Sequence, residues 1–110
     1  MNYNLIPTDE FKKNVKNLYK KYINIKNDIE ELAKELSKNP YLGTELSNNT
    51  YKIRIKNTDN NKGKSAGYRV ITYIVDKDKT IFLISIYSKS KQDNIIDTEL
   101  QNLIKTLITS

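Results

Sequence analysis

The 110 residues read as one α+β domain, residues 1–110. A small, mostly antiparallel β-sheet carries an N-terminal helix hairpin on one face and a C-terminal helix, in the order β-α-α-β-β-β-α. Three observations predict this. Apolar residues recur at helical spacing twice before residue 40, strand patterns fill most of residues 51–86, and a helical stripe returns near the C-terminus. A chain of this length has room for a single modest core.

Residues 2–6 read as a short strand ended by Pro7. Thr8 is a suitable N-cap, with Asp9 and Glu10 placed for a first helical turn. Phe11, Val15, Leu18 and Tyr22 then predict a helix over about 9–22, and Ile25, Ile29, Leu32 and Leu36 a second, with Asn24 as candidate cap between them. The second helix should stop at Asn39-Pro40, because a residue before proline is pushed out of the helical region. Residues 42–50, rich in Gly, Ser and Asn, read as a loop.

From 51 to 56 the alternation is strict, with Tyr51, Ile53 and Ile55 on one side and Lys52, Arg54 and Lys56 on the other. A polar loop over 57–67 follows. The runs 68–75 and 80–86 are apolar at both parities, as central strands covered on two sides are, and 76–79 reads as their hairpin turn. Asp97 can cap a last helix with Leu100, Leu103, Ile104 and Leu107 on one face.

No apolar run is long enough to cross a bilayer and the N-terminus lacks a signal-peptide pattern, so a soluble, cytoplasmic protein is expected, with no membrane partner. Cysteine is absent, which excludes disulfides and thiolate metal sites. Histidine is absent too, so any acid–base chemistry falls to Lys, Arg, Tyr or carboxylates. No cofactor and no metal is expected. Lys62-Gly63-Lys64-Ser65 has Thr58 where a Walker A loop needs glycine, and the acids at 59, 76 and 78 lack metal-loop spacing.

The net charge of +6 points to a polyanionic partner, and its distribution says where. Residues 51–91 hold ten bases against three acids, +7, and the remainder nine against ten, −1. The only two arginines, Arg54 and Arg69, lie in the basic stretch. Lys52 and Arg54 share one strand face about 7 Å apart. If strands 51–56 and 80–87 flank 68–75, then Lys52, Arg54, Arg69, Tyr87, Lys89 and Lys91 converge at one end of the sheet. Such a cluster offers phosphate clamps, an aromatic platform and lysines crowded by like charge, which lowers a lysine pKa. A useful base near pH 7 needs a drop of about three units, roughly 4 kcal/mol.

The runs 51–56 (Tyr-Lys-Ile-Arg-Ile-Lys), 67–74 (Gly-Tyr-Arg-Val-Ile-Thr-Tyr-Ile) and 84–91 (Ile-Ser-Ile-Tyr-Ser-Lys-Ser-Lys) resemble the RelE/ParE toxin superfamily of bacterial toxin–antitoxin systems, most closely its RelE- and HigB-like members. The helix hairpin, the Asn-Pro-x-Leu-Gly stop at 39–43 and the terminal helix agree in order, so the resemblance spans essentially the whole chain.

The resemblance implies a metal-independent endoribonuclease that cuts mRNA, often in the ribosomal A site, by attack of a 2′-OH on the adjacent phosphate. Carried over by position, the catalytic residues are Lys52, Arg54, Arg69 and Lys89, and the RNA-binding residues Lys56, Lys64, Tyr87 and Lys91. Either Lys52 or Lys64 can be the general base. It also implies an acidic cognate antitoxin that covers the basic face or displaces the terminal helix. Residues 93–96 lack the tyrosine that RelE-like members often carry there, and no histidine replaces it as in HigB-like members. The alternatives are a ParE-like DNA gyrase inhibitor without nuclease activity, and a non-catalytic nucleic-acid-binding module.

Overall fold

The computed structural model describes residues 3–60 and 63–89, together with Asn102, Ile104 and Lys105. Strand β1 (Asn4–Pro7) leads into helix α1 (Asp9–Tyr19). The Thr8 hydroxyl accepts from the Phe11 N–H at 3.2 Å and donates to the carbonyls of Leu83 (2.9 Å) and Ile84 (3.1 Å). One cap residue thus starts the helix and ties it to the sheet. Regular helix ends at Tyr19 rather than near 22. Tyr22, in the connecting turn, is still buried, its ring edge-on to that of Tyr68 at 5.8 Å.

Helix α2 (Ile25–Lys38) stops before Asn39-Pro40 as expected. Asn24 occupies its N-cap position, but its side chain makes no cap bond. Its backbone N–H and Nδ2 donate instead to the Asp59 carboxylate, at 3.0 and 2.9 Å. Residues 42–50, expected to be loop, contain an additional strand, β2 (Thr44–Ser47). All four of its residues are exposed, so it carries no apolar alternation to betray it. It turns through Asn49, at φ 63°, into β3 (Thr50–Ile55). Strands β4 (Tyr68–Val75) and β5 (Thr80–Ser88) complete a sheet of order β1-β5-β4-β3-β2, antiparallel except for the β1–β5 pair.

Both helices cover one face. Phe11, Ile25, Leu32 and Leu36 bury themselves against Ile53, Ile55, Tyr68, Val70, Ile74, Ile81, Leu83 and Ile86. On the other face Ile71 and Ile84 are buried with Ile104, against Tyr73 and Phe82. The shift of register between Ile71↔Ser85 and Thr72↔Leu83 leaves Ile84 as an extra residue in β5. Helix α1 satisfies that irregularity, since Asn14 Oδ1 accepts from the Ile86 N–H at 3.0 Å and Thr8 donates to Ile84.

Asn102, Ile104 and Lys105 are helical, in keeping with the expected terminal helix. Its other expected members, Asp97, Leu100, Leu103 and Leu107, lie outside the described residues, as does the start of the first strand at Asn2. Among the described residues no helix is long and apolar enough to cross a membrane.

Candidate functional site

The face of the sheet away from the helices is apolar in its middle and basic at one end. The register there places Arg54 directly opposite Arg69, and Arg69 directly opposite Tyr87. Two residues back along β3, Lys52 stands level with Ile71 and Ser85. Two like charges facing each other across adjacent strands destabilise a sheet, and among the described residues no other strand pairing sets like charges opposite each other. Arg54 is exposed, whereas Arg69 is only 4 % exposed. Burial, and then the positive charge of Arg54, push the Arg69 guanidinium below its ordinary pKa, with Tyr87 opposing. An arginine stays charged through such a shift.

Arg69 Nη1 donates to the carbonyls of Lys64 (3.2 Å) and Tyr68 (3.3 Å), which holds the guanidinium under the loop that carries Lys64. A one-turn 3-10 helix, Lys64–Ala66, shapes that loop. Gly67 then lets the chain re-enter the sheet, because a Cβ at that position would collide with the carbonyl oxygen of Ile55. The Lys89 N–H donates to the Gly67 carbonyl at 3.0 Å, closing the strand ends around the row.

Beside the row lies a cleft of about 380 Å³ lined by Lys52, Arg54, Lys64, Glu35, Leu42, Gly43 and Thr44. It exists because β2 pairs with β3 only as far as Thr44↔Lys52, leaving the last residues of β3 without a strand on that side. Gly43, at φ 98°, makes the close approach to the Lys52 carbonyl that a side chain would block.

Of the predicted residues, the structure brings together Lys52, Arg54, Lys64, Arg69 and Tyr87. Lys89 is half-buried at the strand end, and Lys91 lies outside the described residues. Two expectations change. Lys56 does not continue the basic strand face, because β3 stops at Ile55. It lines a second cavity, of about 200 Å³, with Asp28, Glu31, Glu35, Thr58 and Lys64. Tyr87 is 8 % exposed, so its ring offers little open face for a base to stack on.

Sequence reasoning missed the acidic wall and the latch behind it. The Asp28 carboxylate, nearly buried, accepts from both the Thr58 hydroxyl and the Thr58 N–H, the latter at 3.0 Å. Asn57 Oδ1 accepts from the Asp59 N–H at 2.9 Å, and Asn60 Nδ2 donates to the Ala66 carbonyl at 2.9 Å. These bonds fix the loop between β3 and β4, and so the place of Lys64. The available signal was an acid on the apolar stripe of the second helix, one turn beyond Ile25. Among the described residues no group of three or more carboxylates is placed to hold a metal ion.

A small α+β domain with a cationic row at the end of its sheet has solved counterparts. A double arginine-to-alanine mutant of the E. coli toxin RelE, in the free state, superposes with a TM-score of 0.59 at 18% identity, covering 84% of this chain and 90% of that one. The same mutant in complex with a peptide of the antitoxin RelB gives 0.58 at 18% identity, over 93% of each chain. The isolated E. coli RelE toxin gives 0.56 at 16% identity, over 94% and 98%. At that identity the likeness establishes the fold. The family follows from the sequence model of the RelE toxin of the RelE/RelB toxin–antitoxin system, which matches residues 8–108. The chain belongs to the RelE toxin family.

Proposed function

We propose that this toxin is a metal-independent endoribonuclease that cleaves mRNA, engaged on the ribosome, and that an acidic antitoxin neutralises it. The observation that carries this reading is the Arg54–Arg69 pair, two permanent cations facing each other across β3 and β4. A bound phosphate between them would relieve their repulsion, so the site is arranged for an anion before the anion arrives.

In the proposed reaction the ribose 2′-oxygen attacks the adjacent phosphorus, the bond to the 5′-oxygen breaks, and the 2′-proton leaves to a base. Arg54 and Arg69 hold the phosphate and stabilise the charge that develops on its oxygens. Either Lys52 or Lys64, both lining the cleft, takes the proton, and the other screens the attacking oxygen. Lys89, at the end of β5, serves the leaving oxygen. The antitoxin reading is supported by the solved complex of the mutant E. coli toxin with a RelB peptide.

Cleavage of a translated mRNA by the wild type and by Arg69→Ala tests the proposal. The variant should lose about two to three orders of magnitude in rate, as when one charge-stabilising donor is removed from an active site. Undiminished cleavage by the variant would overturn the assignment of the row, and no cleavage by the wild type would overturn the activity.

A further inference from the structure

Helix α2 carries one charge that the helix itself does not explain. Glu35 stands in the last turn of α2, where the helix dipole is negative and a carboxylate is unfavourable. Glu31, one turn earlier, adds like charge at the i,i+4 spacing. Lys34 does not compensate, since its ammonium lies 3.2 Å from the Glu31 carboxylate. Among the described residues no ion pair reaches Glu35. Its side chain is exposed, whereas Leu32 and Leu36 on either side of it are buried and fix that turn of the helix against the sheet.

The position of Glu35 supplies a reason. The cleft reaches round the open edge of β3, taking Lys52 and Arg54 from one face of the strand and Ile53 from the other. Glu35 borders it from the helix side. Among the described residues that line the cleft it is the only carboxylate, set beside the cations Lys52, Arg54 and Lys64. A phosphate held at the Arg54–Arg69 row is repelled by a carboxylate nearby, so a cleft meant for phosphate alone would exclude one. The acid suits a part of the ligand that donates hydrogen bonds. The volume of about 380 Å³ is that of a small-ligand pocket, and Leu42 and Ile53 give it apolar lining for a flat ring.

A strand whose phosphate sits at the row brings the adjoining nucleobase to this cleft. Bases differ in what they present to a carboxylate. Adenine, cytosine and guanine carry an exocyclic amine, which donates. Uracil has a carbonyl where cytosine has its amine, and its single ring N–H is flanked by carbonyls on both sides.

We infer that Glu35 selects the base beside the bound phosphate, accepting a hydrogen bond from an exocyclic amine and disfavouring uracil. The inference rests on the RNA reading above and deepens it, by naming the bases that the cleft takes. Glu35 is then a specificity-determining residue contributed by α2, while the sheet supplies the phosphate contacts.

The test is the affinity of the full chain for short single strands of deoxycytidine and of deoxyuridine, read by fluorescence anisotropy at about 150 mM salt. These strands lack the 2′-hydroxyl and cannot be cut, and their bases differ only at the edge in question. The wild type should favour deoxycytidine at least about fivefold, the discrimination that one well-placed base contact gives. Glu35→Gln keeps the size of the side chain and adds a donor for the uracil carbonyl, so deoxyuridine should gain and the preference should fall below about twofold. Glu31→Gln removes the same charge from the wall of the second cavity and should keep the wild-type preference. Circular dichroism of both variants guards against a folding defect. A wild type without the preference overturns the inference. So does a Glu35→Gln variant that binds both strands tighter by the same factor, which would leave the carboxylate only tempering the charge of the cleft. Because the readout is binding, failure of the wild type to cleave mRNA removes the nuclease reading while the ratio of the two affinities still decides the role of Glu35.

Discussion

The two ends of the sheet handle polar groups in opposite ways. At the end where β4 turns into β5, Asp76 accepts hydroxyl protons from Tyr41 at 2.6 Å and Tyr3 at 2.9 Å, and Lys79 lies 5.4 Å from the Tyr3 ring. That network ties the N-terminal strand, the segment after α2 and the turn together, with its charges matched. At the opposite end Arg54 faces Arg69, and the buried Tyr68 hydroxyl and Asn57 Nδ2 have no hydrogen-bond partner among the described residues. Local conflicts of this kind concentrate where a protein keeps a site ready for something else. One end of the sheet pairs its polar groups, and the other leaves like charges face to face.

The largest expected effect would come from opening the apolar middle of the same face. Ile84→Ala removes a buried side chain packed with Ile71 and Ile104, and should cost about 2–5 kcal/mol in urea unfolding. A cost below about 1 kcal/mol would mean that this face is no real core.

A smaller effect of opposite sign is expected at the end that carries Arg54 and Arg69. Tyr68→Phe deletes a buried hydroxyl that has no partner among the described residues and whose proton is held by burial, and should leave stability unchanged or raise it by about 1 kcal/mol. A clear loss would reveal a hidden partner and weaken the contrast between the ends.

The smallest effect lies at the turn end and depends on pH. Hydrogen bonds from Tyr41 and then Tyr3 hold the Asp76 carboxyl below its ordinary pKa. A carboxyl lowered in the folded state adds stability above its unfolded value of about 3.9, and that stability fades as pH falls through the folded value. Asp76→Asn should therefore melt below the wild type at neutral pH, with the gap narrowing below about pH 4. A gap independent of pH would show that the carboxylate's charge plays no part.

Much of the fold was legible because its signals are local. The cap at Thr8, the stop before Pro40, the alternation of β3 and the β-branched runs of β4 and β5 all appear within a few residues of chain. The basic face was legible in the same way, since parity alone puts Lys52 and Arg54 together. Parity failed for Lys56 because it holds only while the strand lasts. Strand β2 escaped notice because an edge strand with no buried side has no pattern to show.

What local chemistry established, then, is the set of elements, the order in which they occur and the sign of the surface that matters. Long-range pairing settled the rest. Arg54 meets Arg69 only because the chain between β3 and β4 closes in one register, held by Asp28, Thr58 and Asn60 from two different elements. The cleft exists only because β2 begins at Thr44, opposite Lys52, and leaves the last residues of β3 unpaired on that side. Periodicity reports on neighbours a few residues away, whereas register and layering depend on contacts between residues tens of positions apart, which no short window of sequence contains.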